Sequence, residues 1–174
     1  LRAAGENPPF RTVVFSHGKE SGPWGTKILA LAAIARELDL GVESVDYRGI
    51  DDPRARVAKL LEVGGAFEGP LVLVGSSLGG HVSAAAAAPL GARGLFLMAP
   101  AFYMPGYEEH TPREVGCPAA LVHGWSDTIV PVANSIRWAS EQRAELHILD
   151  SDHRLQDRIT AIGAIFRGFL GGLN

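Results

Sequence analysis

The stretch L71-VLVGSSLGGHV-S83 carries β-forming residues into a glycine-rich turn and then into the small-residue run H81-VSAAAA-A88. A buried strand that passes through glycines straight into a helix is the junction from which parallel α/β sheets are built. Gly75-Ser76-Ser77-Leu78-Gly79 also fits G-x-S-x-G with Ser77 at its centre. So tight a strand-to-helix turn forces the central serine into a strained backbone conformation. The residues two places before and after it crowd one another, so both positions favour the absence of a Cβ. Ser77 has Gly75 and Gly79 there, whereas Ser76 would have Val74 and Leu78. The frame selects Ser77 and leaves Ser76 as its neighbour. Ser126 offers half the pattern, with Gly124 before it and Thr128 after.

Working outward, short apolar runs alternate with helix-period segments. The strand candidates are 12–16, 42–46, 71–75, 94–99, 119–123 and 145–149. Several are nearly continuous in Val, Leu, Ala and Phe, as strands covered on both faces require. Leu155, Ile159, Ile162, Phe166 and Phe169 step by four, three, four and three, one apolar stripe of a final helix. Ile28, Leu31, Ile34 and Leu38 make a similar stripe early on, and Pro53 and Pro131 stand where a first helical turn tolerates proline. The pattern predicts an α/β/α sandwich with a parallel sheet in one domain over residues 10–174, preceded by a loose, flexible arm over residues 1–9 with Gly5, Pro8 and Pro9.

Composition narrows the function. The chain has 174 residues, 47% hydrophobic and 20% charged, with a net charge of −3. That balance, with no basic run, gives no case for nucleic acid. No apolar run is long enough for a membrane span, and no basic-then-apolar leader is seen, so a cytoplasmic protein is expected. The lone cysteine, Cys117, permits no internal disulfide or cysteine zinc site, and it precedes Pro118 far from the serine turn. Nothing points to a particular oligomeric state.

In open parallel sheets chemistry gathers at the carboxyl ends of the strands. The loop after the first strand, S16-HGKESGPW-G25, fails as a phosphate loop: Gly18-Lys19 is followed by Glu20, and the upstream glycine is Val13. A serine needs a base to take its proton, and the base needs a carboxylate to orient it. Of the six histidines, His17 reads as bonding local backbone, His81 lies on the helix behind Ser77, and His110 is in a polar loop. His123 and His147 fall in strands, as structural histidines do. His153 follows the last strand in a polar loop, which suits the base. Asp127, in the loop after the fifth strand, suits the acid, while Asp152 braces its own loop or caps the last helix. A metal site from His147, Asp150 and His153 is disfavoured by their spacing, and no metal or other cofactor is expected.

The order Ser77, Asp127, His153, together with FSHG (15–18), GSSLGG (75–80), HGWSD (123–127) and SDH (151–153), resembles the α/β-hydrolase superfamily. SHGKESGPWGTK, LFLMAP and VHGWSDTIVP make it similar to the small bacterial members that lack a cap domain. The resemblance implies a minimal, cap-less fold with strand order 2-1-3-4-5-6. It also implies a hydrolase in which Ser77 forms an acyl-enzyme, His153 shuttles the proton and Asp127 orients it. The backbone N–H groups of Lys19 and Leu78 would form the oxyanion hole. With only residues 101–116 between the fourth and fifth strands, a small acyl ester or thioester is the expected substrate. Trp24, Phe102, Tyr103, Trp125 and Ile129 stand near strand ends as pocket candidates, although about half of such residues simply pack the core. A binding or scaffolding protein that keeps this fold without turnover is the alternative.

Overall fold

In a computed structural model the structure describes residues 9–173, so the arm expected at 1–9 falls, but for Pro9, outside the described residues. Six strands run β1 (Thr12–Ser16), β2 (Gly41–Val45), β3 (Leu71–Ser76), β4 (Gly94–Met98), β5 (Ala119–Gly124) and β6 (Glu145–Leu149). Between and after them lie α1 (Thr26–Glu37), α2 (Pro53–Gly65), α3 (Leu78–Ala87), α4 (Val132–Gln142) and α5 (Ile159–Gly172). All strand pairs are parallel, in the order β2-β1-β3-β4-β5-β6. The fold is the cap-less α/β-hydrolase arrangement expected: the 99–118 segment between β4 and β5 contains one short 3₁₀ turn, Glu108–His110.

Strand alternation sorts side chains onto two cores. Val13, Phe15, Val72, Val74, Phe96 and Val122 face one layer with Leu31 of α1 and Phe166 of α5. Val14, Leu71, Leu73, Leu95 and Leu121 face the other with Leu60 of α2, Val82 of α3 and Trp138 of α4. Each such side chain fully removed from water contributes roughly 1.5–3 kcal/mol before chain entropy is subtracted. Phe96 meets Phe166 edge-on, with ring centroids 5.0 Å apart.

Element ends differ from expectation by a residue, each for a local reason. Asp46 leaves β2 because its carboxylate accepts the Arg48 N–H at 3.0 Å, an Asx turn. Ala99 leaves β4 because its φ is +43°. In α1 the buried face is Ile28, Leu31, Ala32 and Ala35, whereas Leu38 lies past the helix end and is exposed. Leu155 is buried but precedes α5, at φ +58° ahead of a 3₁₀ turn. Pro53 opens α2 behind an Asp52 cap, and Pro131 stands one position before α4.

The chain runs from β1 outward to β2, then returns past β1 to β3. The loops after β1 and β3 therefore diverge from a crevice between neighbouring strands, where α/β sheets place ligands.

Candidate active site

Ser77 sits at the head of α3 with φ +54° and ψ −120°. A non-glycine residue so placed costs about 1–3 kcal/mol and persists only where its surroundings over-determine it. Here the Ser77 N–H donates to the Met98 carbonyl at 2.9 Å, and its own carbonyl accepts from Gly80 and Ala101, both at 2.9 Å. A Cβ on Gly75 would lie 2.2 Å from the Gly79 oxygen, the crowding expected of the turn. Gly79 is constrained by something else: a Cβ there would meet the Ser16 oxygen at 2.0 Å, at the end of β1. The turn is thus wedged against the neighbouring strand as well as against itself.

The ends of β5 and β6 are fastened together in the same way. The Trp125 N–H donates to Leu149 at 2.9 Å and Ser126 to Ser151 at 3.0 Å, while a Cβ on Gly124 would lie 2.3 Å from the Ser151 oxygen. This close approach brings Asp127 and His153 into contact. His153 Nδ1 is 2.7 Å from Asp127 Oδ2, and His153 Nε2 is 3.1 Å from Ser77 Oγ. The Asp127 side chain is wholly buried, and its other oxygen accepts the N–H groups of Ile129 and Val130, both at 2.8 Å. An ionised carboxylate only accepts, so the Nδ1 proton is held by Asp127 and the Nε2 lone pair faces the serine hydroxyl. A hydroxyl, imidazole and buried carboxylate in this chain can deprotonate the serine as it attacks. Asp152 accepts from the N–H groups of Arg154 and Leu155, which braces the loop that carries His153.

His123 is more than the structural histidine its strand position implies. It is fully buried, and its Nε2 lies 2.9 Å from the Val130 carbonyl and 3.0 Å from Asp127 Oδ2. Both neighbours only accept, so Nε2 carries the proton and Nδ1 faces the Ser135 hydroxyl at 2.7 Å. Burial, above all, holds its pKa below the usual histidine value. Its contact with the acid was missed because strand alternation says which face a side chain takes but not which loop folds back over it.

Facing Ser77 across the crevice is the loop after β1. A Cβ on Gly18 would come within 3.3 Å of Ser77 Cβ. The N–H of Lys19 donates to no protein acceptor among the described residues, and Leu78, as the first residue of α3, has no partner inside its helix. Lys27, on α1, stands near Asp127 and Asp152, and burial lowers its pKa to about 8 against their pull.

The pocket candidates divide. Trp24 is 42% exposed, and Trp125 and Ile129 are each 60% exposed, on the loops after β1 and β5. Phe102 and Tyr103 belong to the core instead. Phe102 stacks on Trp138 with centroids 4.7 Å apart, and the Tyr103 hydroxyl donates to Glu141 at 2.7 Å. Their segment turns inward after β4, through Ala99 and Tyr103 at positive φ, which residue type alone does not reveal. His81 is buried near Tyr107, and His147 pairs with Glu145. Cys117 precedes β5, at the opposite end of the strands from Ser77, and burial pushes its thiol up to about 11. Among the described residues no three His, Cys, Asp or Glu side chains converge as metal ligands, and no helix is long and apolar enough to cross a membrane.

Sheet order, serine turn and cap-less connection together define an α/β hydrolase. Residues 13–171 match the alpha/beta hydrolase family, and the chain belongs to it. A crystal structure of a protein assigned to the alpha/beta hydrolase superfamily, from Xanthomonas campestris pv. campestris, is 34% identical over 93% of this chain and 99% of its own, with a TM-score of 0.87. Mouse alpha/beta hydrolase domain-containing protein 10 shares the fold at 21% identity, covering 94% and 90% of the two chains with a TM-score of 0.77. Est1E from Butyrivibrio proteoclasticus does so at 16% identity, covering 95% and 88% with a TM-score of 0.79. No curated protein matches the sequence.

Proposed function

We propose that this hydrolase works by serine chemistry on a small carboxylic ester or thioester. The observation that carries the reading is the continuous chain Ser77 Oγ–His153 Nε2 and His153 Nδ1–Asp127 Oδ2, at 3.1 and 2.7 Å, on a strained turn. Ser77 Oγ attacks the acyl carbon as its proton passes to His153 Nε2. The carbonyl π pair moves onto oxygen, where the N–H groups of Lys19 and Leu78 receive the charge. Collapse expels the alcohol or thiol with the proton from His153, leaving the acyl group on Ser77. Water then gives its proton to His153 and attacks the acyl carbon. The second tetrahedral intermediate releases the carboxylic acid and returns the proton to Ser77. Buried Asp127 keeps the imidazole in the accepting tautomer and balances the imidazolium. Loss of one oxyanion donor typically costs on the order of 10²–10³ in turnover.

The absence of a cap between β4 and β5 supports a small or exposed acyl group, laid over Trp24, Trp125 and Ile129. The exposed Lys19 side chain and Lys27 add positive charge near the site. The reaction calls for no cofactor, metal or macromolecular partner.

Fluorophosphonate labelling and a screen of short p-nitrophenyl esters and acyl-CoAs test the proposal. Wild type should be labelled on Ser77 and should hydrolyse a member of the panel, and Ser77→Ala should do neither. Equal labelling of both proteins, or of neither, overturns it; a binding protein that kept the fold would give neither label nor hydrolysis.

A further inference from the structure

Arg56, on α2, is 1% exposed, yet no carboxylate among the described residues lies within ion-pair distance of it. A buried guanidinium ordinarily sits against an acid, because removing its charge from water costs several kcal/mol. This one spends its donors on main-chain carbonyls. Nε donates to Ile50 at 2.7 Å, and Nη1 is shared between His17 at 3.3 Å and Gly18 at 3.4 Å. Its guanidinium carbon lies over the Tyr47 ring, 5.2 Å from the centroid.

His17 completes the clamp. Its Nε2 accepts the Tyr47 N–H at 2.8 Å, which leaves the ring proton on Nδ1, and Nδ1 donates to the Gly18 carbonyl at 2.7 Å. Two buried donors therefore converge on one carbonyl oxygen. In a planar trans peptide the C=O and the following N–H point in opposite directions. Anchoring the Gly18 oxygen towards Arg56 and His17 turns the Lys19 N–H the other way, and that N–H meets no acceptor among the described residues. Hydrogen bonds received at a carbonyl also strengthen the donor at the other end of the same peptide.

Building on the serine reading above, we infer that His17 and Arg56 are positioning residues that aim and polarise the Gly18–Lys19 peptide as an oxyanion donor. They touch no substrate. The cation stands one peptide behind the developing negative charge, an arrangement that strengthens as the charge forms.

Two readouts on Arg56→Met test this. The first is amide hydrogen exchange at Lys19, followed by NMR on the intact protein. Base-catalysed exchange passes through an imidate anion whose charge rests on the Gly18 oxygen, against Arg56 and His17. The Lys19 amide should therefore exchange about tenfold more slowly once the cation is removed. The second is turnover of p-nitrophenyl acetate. kcat should fall about 10- to 100-fold while KM moves less than about threefold. A trifluoromethyl ketone, which forms a hemiketal oxyanion on the serine, should weaken in the same proportion as kcat/KM. Arg56→Lys should restore part of both effects.

A lowered melting temperature with exchange at Lys19 and kcat unchanged overturns the inference and makes Arg56 a packing residue. Arg56-dependent exchange in a wild-type protein that hydrolyses no ester overturns the serine reading and leaves the peptide clamp standing. Where Arg56→Met does not fold, His17→Leu takes its place: slower Lys19 exchange supports the clamp, and unchanged exchange overturns it.

Discussion

Replacing Asp127 by asparagine changes one oxygen into an NH₂ group, and the surrounding atoms decide which one. Oδ1 accepts two backbone N–H groups, from Ile129 and Val130, both at 2.8 Å. Only the amide oxygen can take that place, so the NH₂ must face His153 Nδ1 and His123 Nε2, which lie 2.7 and 3.0 Å from the present Oδ2. Donating to His153 Nδ1 drives its proton to Nε2, and the imidazole can no longer accept from Ser77. A wrong-tautomer imidazole lowers kcat by about 10⁴, close to 5.5 kcal/mol of transition-state stabilisation. The NH₂ also meets the Nε2–H of His123, donor against donor in a buried place, which costs a further ~1–3 kcal/mol of stability. The assay is p-nitrophenyl acetate hydrolysis by protein titrated for folded fraction, with melting followed in parallel. Activity of Asp127→Asn within tenfold of wild type would refute the tautomer argument. An unchanged melting temperature would refute the Nε2–H assignment of His123.

Other consequences are more local. Gly75→Ala drives a Cβ to 2.2 Å from the Gly79 carbonyl oxygen, against the Gly79–Gly80 backbone; a loss of about 3 kcal/mol or more in urea unfolding is expected, and a neutral result would show that the turn yields. Phe102→Ala should cost roughly 3–5 kcal/mol as a core truncation. Trp125→Ala and Ile129→Ala, at exposed positions, should leave melting nearly unchanged and raise KM for longer acyl esters, a dissociation that unfolding and kinetics read directly. Burial lowers the pKa values of His17, His81 and His123 below 6.5, that of His81 to about 4. Below pH 6.5 the unfolded chain takes up protons that the folded chain refuses, so their stabilisation is full above pH 6.5 and declines as pH falls, for His81 down to about pH 4. His81 alone accounts for up to ~3 kcal/mol of that loss. Melting temperatures measured from pH 7.5 down to 4.5 should decline, and His81→Leu should flatten the decline; a flat wild-type profile would contradict the burial argument.

The sheet was readable because its strands are nearly continuous apolar runs, a pattern that buried parallel strands impose on any sequence. Ser77 was readable for a steric reason, since only glycine fits where a Cβ would strike backbone at Gly75 and Gly79. Asp127 and His153 followed from their places after β5 and β6. Arg56 was not readable: within P53-RARVAKLLE-V63 it looks like any solvated helix charge, and only the carbonyls of His17, Gly18 and Ile50, brought over it by tertiary folding, show that it is buried. Phe102 and Tyr103 illustrate the converse. Position after a strand marks nearness to the crevice, but the path of the next few residues decides whether a ring faces the opening or the core.

The fastening of β6 to β5 has a further consequence. β6 is one of the two edge strands, paired on one side, with Glu145 exposed and the rest only half-buried, yet His153 hangs from its end. Ser77 instead follows β3, a central strand whose residues are all buried. Under the serine chemistry proposed above, fraying of this border strand would part His153 from Ser77 while the interior stays intact, so activity is expected to be lost on mild heating before the core melts.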